Sequence, residues 1–146
     1  MTKKINVKIT NKSQYDIPTY ETAGAAGLDL HANINEQVLI KKDAVIAVPT
    51  GIYLSIPVGY EAQIRSRSGM TLKHGIVVAN GIGTIDSDYR GEICVLLHNI
   101  SSMDYSLIPG TRIAQMVFNE VIQANFEETD ELDDTKRGSG GFGHTG

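Results

Sequence analysis

The sequence predicts an all-β sandwich or barrel, and three observations carry that prediction. Apolar residues recur with period two: Ile5, Val7 and Ile9, then Leu28, Leu30, Ala32 and Ile34, alternate with other residues. That alternation marks a strand with one buried face. The apolar runs are short and are cut by Pro49, Pro57 and Gly59, as in many-stranded sandwiches and barrels. Only SGMTLKHG, residues 68–75, breaks the pattern. It predicts one short helix, with Ser68 as its N-cap.

Further strands are expected in AVIAV (44–48), GIYLSI (51–56), YEAQI (60–64), GIVVA (75–79), GEICVLLHN (91–99), YSLI (105–108) and RIAQMVFNEVI (112–122). No internal repeat is visible. From about Asn125 the composition turns acidic and aperiodic in NFEETDELDDTKR, which leads into the glycine-rich RGSGGFGHTG. The expected organisation is therefore a β core over 1–124 and a flexible arm over 125–146. About 20 extended residues span up to ~65 Å, so the arm can reach another subunit.

A chain of 146 residues suits one domain and buries a sizeable core. The net charge of −4 argues against a stable nucleic-acid binder, which carries a basic face. The one cysteine, Cys94, has no disulfide partner within the chain, and its place in ICVLL predicts a buried thiol. MTKKINVKIT lacks the apolar segment of a signal peptide, and no run approaches the ~20 apolar residues of a membrane helix. A soluble, cytoplasmic protein without a membrane partner is expected.

Five stretches hold residues that could carry chemistry. In AGLDL (26–30), Asp29 interrupts an apolar strand; the alternation alone is satisfied by a solvent-facing carboxylate. In RSRSGM (65–70), Arg67 and Ser68 stand where a strand meets a helix start, a place suited to phosphate but also to a simple cap. ANGIGTIDSDYRGEI (79–93) opens with the hairpin signal Asn80-Gly81, then gathers two carboxylates, a tyrosine and an arginine, which fit either a polar turn or a general base. RIAQMVF (112–118) sets Arg112 and Gln115 in an apolar strand, where an edge position alone would account for them. In the tail, Gly138, Gly140 and Gly143 match G-x-G-x-x-G, but that fingerprint needs a strand before it and a helix after it. The histidines, His31, His74, His98 and His144, lack metal-ligand spacing, and there is no P-loop motif.

Taken in order, these five stretches resemble the five motifs of the homotrimeric dUTPase family (deoxyuridine 5′-triphosphate nucleotidohydrolases), over about Asp16 to Gly146. The resemblance implies a jelly-roll-like β-sandwich with one short helix, its C-terminal arm exchanged within a homotrimer. It implies hydrolysis of dUTP to dUMP and pyrophosphate, which limits uracil incorporation into DNA and supplies dUMP for thymidylate synthesis. The cofactor it implies is Mg²⁺, with Asp29 holding the metal through water. Asp86 is implied as the base that orients the attacking water. Asn80, Gly83 and Ile85 would surround the uracil, and Tyr89 would pack under the deoxyribose. Arg67, Ser68, Gly69 and Gln115 would bind the phosphates. From the arm, Phe142 would stack on the base, Arg137, Ser139 and Thr145 would grip the phosphates, and Gly140 and Gly141 would let the backbone close in. The pattern departs from the family at Met70-Thr71, where Leu-Ala is more usual. A deoxycytidine triphosphate deaminase of the same fold and a non-catalytic nucleotide sensor are the alternatives. The first would release ammonia from dCTP, and the second would bind without turnover.

Overall fold

The period-two pattern turns into alternating burial. Strand β9, Cys94–Asn99, sends Val95, Leu97 and Asn99 inward and leaves Cys94 and Leu96 exposed. The expectation of a buried Cys94 is therefore corrected. Ile93 and Val95 take the inward parity, so Cys94 falls on the outward one.

The structure is a computed structural model that describes residues 2–143. Before β9 it forms β1 Lys8–Asn11, β2 Leu28–His31, β3 Val38–Ile40, β4 Val45–Pro49, β5 Ile52–Ser55, β6 Tyr60–Arg65, α1 Ser68–His74, β7 Ile76–Val78 and β8 Gly83–Ile85. After it come β10 Tyr105–Leu107 and β11 Arg112–Glu120. The fold is all-β with one short helix, as expected. Strand β3 was not anticipated, because its three residues are too few to show a period.

All pairing is antiparallel. The largest sheet runs β2-β11-β6-β8, a second runs β4-β9-β7, and β1-β5 and β10-β3 form two small ones. β11 touches β9 of the second sheet. Leu30, Ile40, Leu97, Leu107 and Ile113 are among the core side chains shut off from water. β11 pairs on both sides, so it is not the edge strand its polar residues suggested.

Two turn expectations also shift. Gly81 does turn, at φ 75°, and its N–H donates to the Val78 carbonyl at 3.1 Å. Yet β7 pairs with β9 while β8 pairs with β6. Asn80-Gly81 thus carries the chain between two sheets and does not close a hairpin. At α1 the N-cap is Arg67, still extended at φ −93° and ψ 131°, and Ser68 is the first helical residue. The Met70-Thr71 departure fits this helix: Met70 is buried, and the Thr71 hydroxyl donates to the Ile76 carbonyl at 3.1 Å.

A local repeat invisible in the sequence emerges in three dimensions. Asn11-Lys12-Ser13 and Asn99-Ile100-Ser101 each end a strand and form the same knot. In both, the asparagine Oδ1 accepts from the backbone N–H and the hydroxyl of the serine two residues on. The asparagine Nδ2 donates to the carbonyl of Tyr15 in one and of Met103 in the other. The residue after each asparagine donates its N–H to a glycine carbonyl, Lys12 to Gly51 and Ile100 to Gly75. Both glycines are left-handed, at φ 70° and 63°, and a Cβ on either would strike its serine at under 3 Å. Asn99 is fully buried and also donates to the Ile40 carbonyl at 3.0 Å, tying β9 to β3.

Asn99→Ala would orphan several buried polar groups, at a cost of about 3 kcal/mol. The same change at the half-buried Asn11 should cost less, because water can replace part of what is lost. Urea unfolding of the two variants measures both. Equal costs would contradict the burial argument.

Candidate functional site

The site residues fall into three groups. The first lies on the β2 side of the main sheet and depends on a bulge. Residues 112 and 115 differ by three positions, so a regular strand would send them to opposite faces. The register slips between Arg112 and Ala114, so that Arg112 faces His31 and Gln115 faces Asp29. Asp29 and His31 share a face of β2, and the slip brings Arg112 and Gln115 to that same face. There Asp29 meets two guanidinium groups. Arg67 Nε donates to its Oδ1 at 2.9 Å, and Arg112 Nη1 lies 3.3 Å from its Oδ2. Arg67 Nη1 also donates to the Arg112 backbone carbonyl at 3.2 Å. Gln115 Nε2 donates to the Ser66 carbonyl at 3.0 Å, and Glu21 approaches Arg112 at 4.0 Å. Ser68 and Gly69 stand exposed beside this cluster at the start of α1.

The second group surrounds a cavity of about 330 Å³ on the β8 side. Asn80, Gly83, Ile85, Asp86 and Tyr89 all line it, with Thr84, Glu92 and Cys94. The cavity is of the size that takes a small organic ligand. Gly83 is buried between Ile64 and Asn80. Tyr89 donates its hydroxyl to the Glu92 carbonyl at 2.9 Å, folding its ring across Gly91. A Cβ at Gly91 would lie 2.4 Å from that hydroxyl, so no larger residue tolerates this ring position. Glu92 accepts the Gly51 N–H at 2.8 Å, which anchors the loop to β5. Partial burial, then the charge of Glu92, push the Cys94 thiol above its ordinary value.

The third group is the tail. Every residue from Val121 to Ser139 is exposed. Among the described residues, no hydrogen bond joins 122–143 to the rest of the chain. Arg137 Nε donates to the Gly140 carbonyl at 2.8 Å, making a local turn, and the Phe142 ring is wholly exposed. Ser139 and Gly141 lie in this same segment. Thr145 falls outside the described residues.

Among the described residues, Asp29 on β2 stands apart from the cavity beside β8. Neighbouring strands stand ~4.8 Å apart, so β2 and β8, at the two edges of a four-stranded sheet, are separated by roughly 14 Å. Among the described residues no group of three His, Cys, Asp or Glu side chains could hold a metal ion. Asp29 has both oxygens engaged by guanidinium groups, so it suits a water-mediated contact to a metal and not direct ligation. Sequence reasoning missed the roles of Gly91, Glu92 and Arg112. Gly91 and Glu92 were in view but carried no signal without the Tyr89 ring position, and Arg112 had the wrong strand parity until the bulge was known.

This jelly-roll-like β fold is shared with solved phage dUTPases. The fold superposes on a Staphylococcus bacteriophage 80alpha dUTPase described with dUpNHpp at TM-score 0.86 and 23% identity, covering 97% of this chain and 98% of that one. A mutant dUTPase of S. aureus phage phi11, described with a coordinated structural Mg(II) ion, matches at TM-score 0.79 and 20% identity, over 89% and 100% of the two chains. This chain belongs to the dUTPase family, whose family model matches residues 13–146. Its relatives include the deoxyuridine 5′-triphosphate nucleotidohydrolases of Fusobacterium nucleatum, 49% identical over 99% of both chains, and of Chlamydia felis, 50% identical over 92% of this chain and 94% of that one.

Asp29→Asn should release the Arg67 side chain while changing stability by under about 1 kcal/mol, since the arginines are partly exposed. Arginine Nε–H NMR signals read this directly. An Arg67 signal unmoved in shift and exchange rate would show that Asp29 does not hold it.

Proposed function

We propose that this protein hydrolyses dUTP to dUMP and pyrophosphate, in sites that complete themselves only between copies of the chain. Family membership supports the activity. The observation that carries the reading is the cavity lined together by Asn80, Gly83, Ile85, Asp86 and Tyr89, which sets the Asp86 carboxylate and the Tyr89 ring around a nucleoside-sized space.

Asn80, Gly83 and Ile85 take the uracil, which backbone groups of this turn read along its edge. Tyr89 packs under the deoxyribose, leaving no room for a ribose 2′-hydroxyl. Asp86 orients the attacking water and takes its proton as the oxygen adds in line to the α-phosphorus; pyrophosphate departs on the opposite side. Such a base needs hydrogen-bond reach more than an unusual pKa. Arg67, Ser68, Gly69 and Gln115 hold the phosphate chain, and most of the rate comes from positioning and charge. Asp29 would hold a Mg²⁺ ion through water, and the ion would supply neutralisation of phosphate charge.

The roughly 14 Å between the two sheet edges supports a site shared between subunits, one giving its β8 cavity and another its Asp29 cluster. Residues 125–146 act as an arm that closes such a site in a homotrimer, with Phe142 on the base and Arg137, Ser139, Gly140, Gly141 and Thr145 on the phosphates. The exposure of Val121–Ser139 supports that role, because the arm finds no cover on its own core.

Pyrophosphate release from dUTP, dCTP, dTTP and UTP with Mg²⁺ tests the activity. Release from dUTP alone is expected, and ammonia from dCTP would point to the deaminase instead. Asp86→Asn should bind dUTP and lose 10²- to 10⁴-fold in kcat, roughly the range for a general base; unchanged kcat removes Asp86 from the mechanism. Deleting 137–146 should leave the thermal unfolding midpoint in place and nearly abolish turnover. A truncated enzyme with full kcat would sink the role of the arm.

A further inference from the structure

We infer that Arg112 is a positioning residue for the phosphate chain, acting through Asp29 and Arg67; this rests on the dUTP reading of the same site. The register slip at Ile113 leaves Ile113 and Ala114 both buried and turns Arg112 onto the face that carries Asp29 and Gln115. A bulge costs a strand its regular ladder and is kept where a side chain must be re-aimed. Here what it re-aims is one guanidinium.

Arg112 has two connections to Arg67, one through its side chain and Asp29 and one through its backbone carbonyl. Its Nη1 engages Asp29 Oδ2, the carboxylate whose other oxygen takes Arg67 Nε. The Arg112 carbonyl receives Arg67 Nη1. Arg67 is therefore held at two of its nitrogens, and both restraints trace to Arg112 or to the carboxylate it steadies. Asp29 and Glu21 balance the two arginines, so the Arg112 charge keeps the cluster from turning net negative where a triphosphate approaches. Without Arg112 the carboxylates of Asp29 and Glu21 outweigh Arg67, and Asp29 is free to rotate against an incoming phosphate.

The Arg112 side chain is 49% exposed, so its ion pairs add little to folding. A loss of phosphate binding can then be read apart from a loss of structure. Without the Arg112 side chain, Arg67 keeps the residue-112 carbonyl but pairs with an Asp29 carboxylate held on one oxygen only.

The test compares Arg112→Ala, Arg112→Gln and Arg112→Lys with the wild-type protein. Affinity for an α,β-imido dUTP analogue and kcat/KM for dUTP should each fall roughly 10- to 100-fold in Arg112→Ala, the scale of a misplaced binding group. Arg112→Lys should recover part of that loss. Deoxyuridine, which has no phosphate, should bind all variants alike by NMR titration. Asp29→Asn combined with Arg112→Ala should lose less than the two singles added together, because they act on one cluster. Analogue affinity within twofold of wild type in Arg112→Ala overturns the inference. So does an equal loss of deoxyuridine binding in Arg112→Ala and Arg112→Gln, which would make the role structural. A wild-type protein that binds the analogue but does not turn over dUTP would instead refute the activity, and the analogue titrations would still decide the role of Arg112.

Discussion

The slip in β11 between Arg112 and Ala114 is the constraint on which the Asp29–Arg67–Arg112 cluster depends. β11 is the strand that holds the main sheet together, paired with β2 on one side and β6 on the other. A regular strand there would keep the core but scatter the polar residues to opposite faces. The bulge lets one strand do both, burying Ile113, Ala114, Met116 and Val117 while setting Arg112 and Gln115 beside Asp29. Arg67 then closes the group from the end of β6, because the chain stays extended at its N-cap position before α1 begins.

The opposite edge of the same sheet is built by different means. Gly83 in β8 pairs with Ile64 in β6, and the chain then loops through Asp86 and Tyr89 before entering the second sheet at β9. The loop keeps its shape through two contacts, the Tyr89 hydroxyl on the Glu92 carbonyl and the Glu92 carboxylate on the Gly51 N–H. Gly51 is also one half of the repeated asparagine–serine knot. The residues that hold the core and those that shape the cavity are thus bonded to the same turns. Loss of packing at β5 would reach Tyr89 through Glu92.

The sequence made the strands legible because their two-residue period is a local property. Val95 and Leu97 are inward for the same reason that Cys94 and Leu96 are outward, and the error at Cys94 came from reading ICVLL as a run instead of an alternation. Which strands pair was not legible. Nothing in Asn80-Gly81 says that its flanking strands enter different sheets, and nothing in RIAQMVF announces a bulge. The asparagine–serine knots escaped for the same reason, since the glycine of one follows its N-x-S and that of the other precedes it, at different distances. The identities of the candidate site residues were legible through the ordered motifs. The arm was legible too, from its acidic, aperiodic composition, but the distribution of the other residues over two edges of one sheet was not.

That distribution is the central claim, and mixing subunits tests it most directly. Asp86→Asn chains and chains lacking 137–146 would be unfolded, mixed and refolded together, then assayed for pyrophosphate release from dUTP. Each protein refolded alone should be nearly inactive. The mixture should regain a substantial fraction of wild-type turnover, because an intact cavity from one chain can receive an intact arm from another. A mixture no more active than its parts, with mixed trimers verified by native mass spectrometry, would mean that each chain closes its own site and would contradict the account.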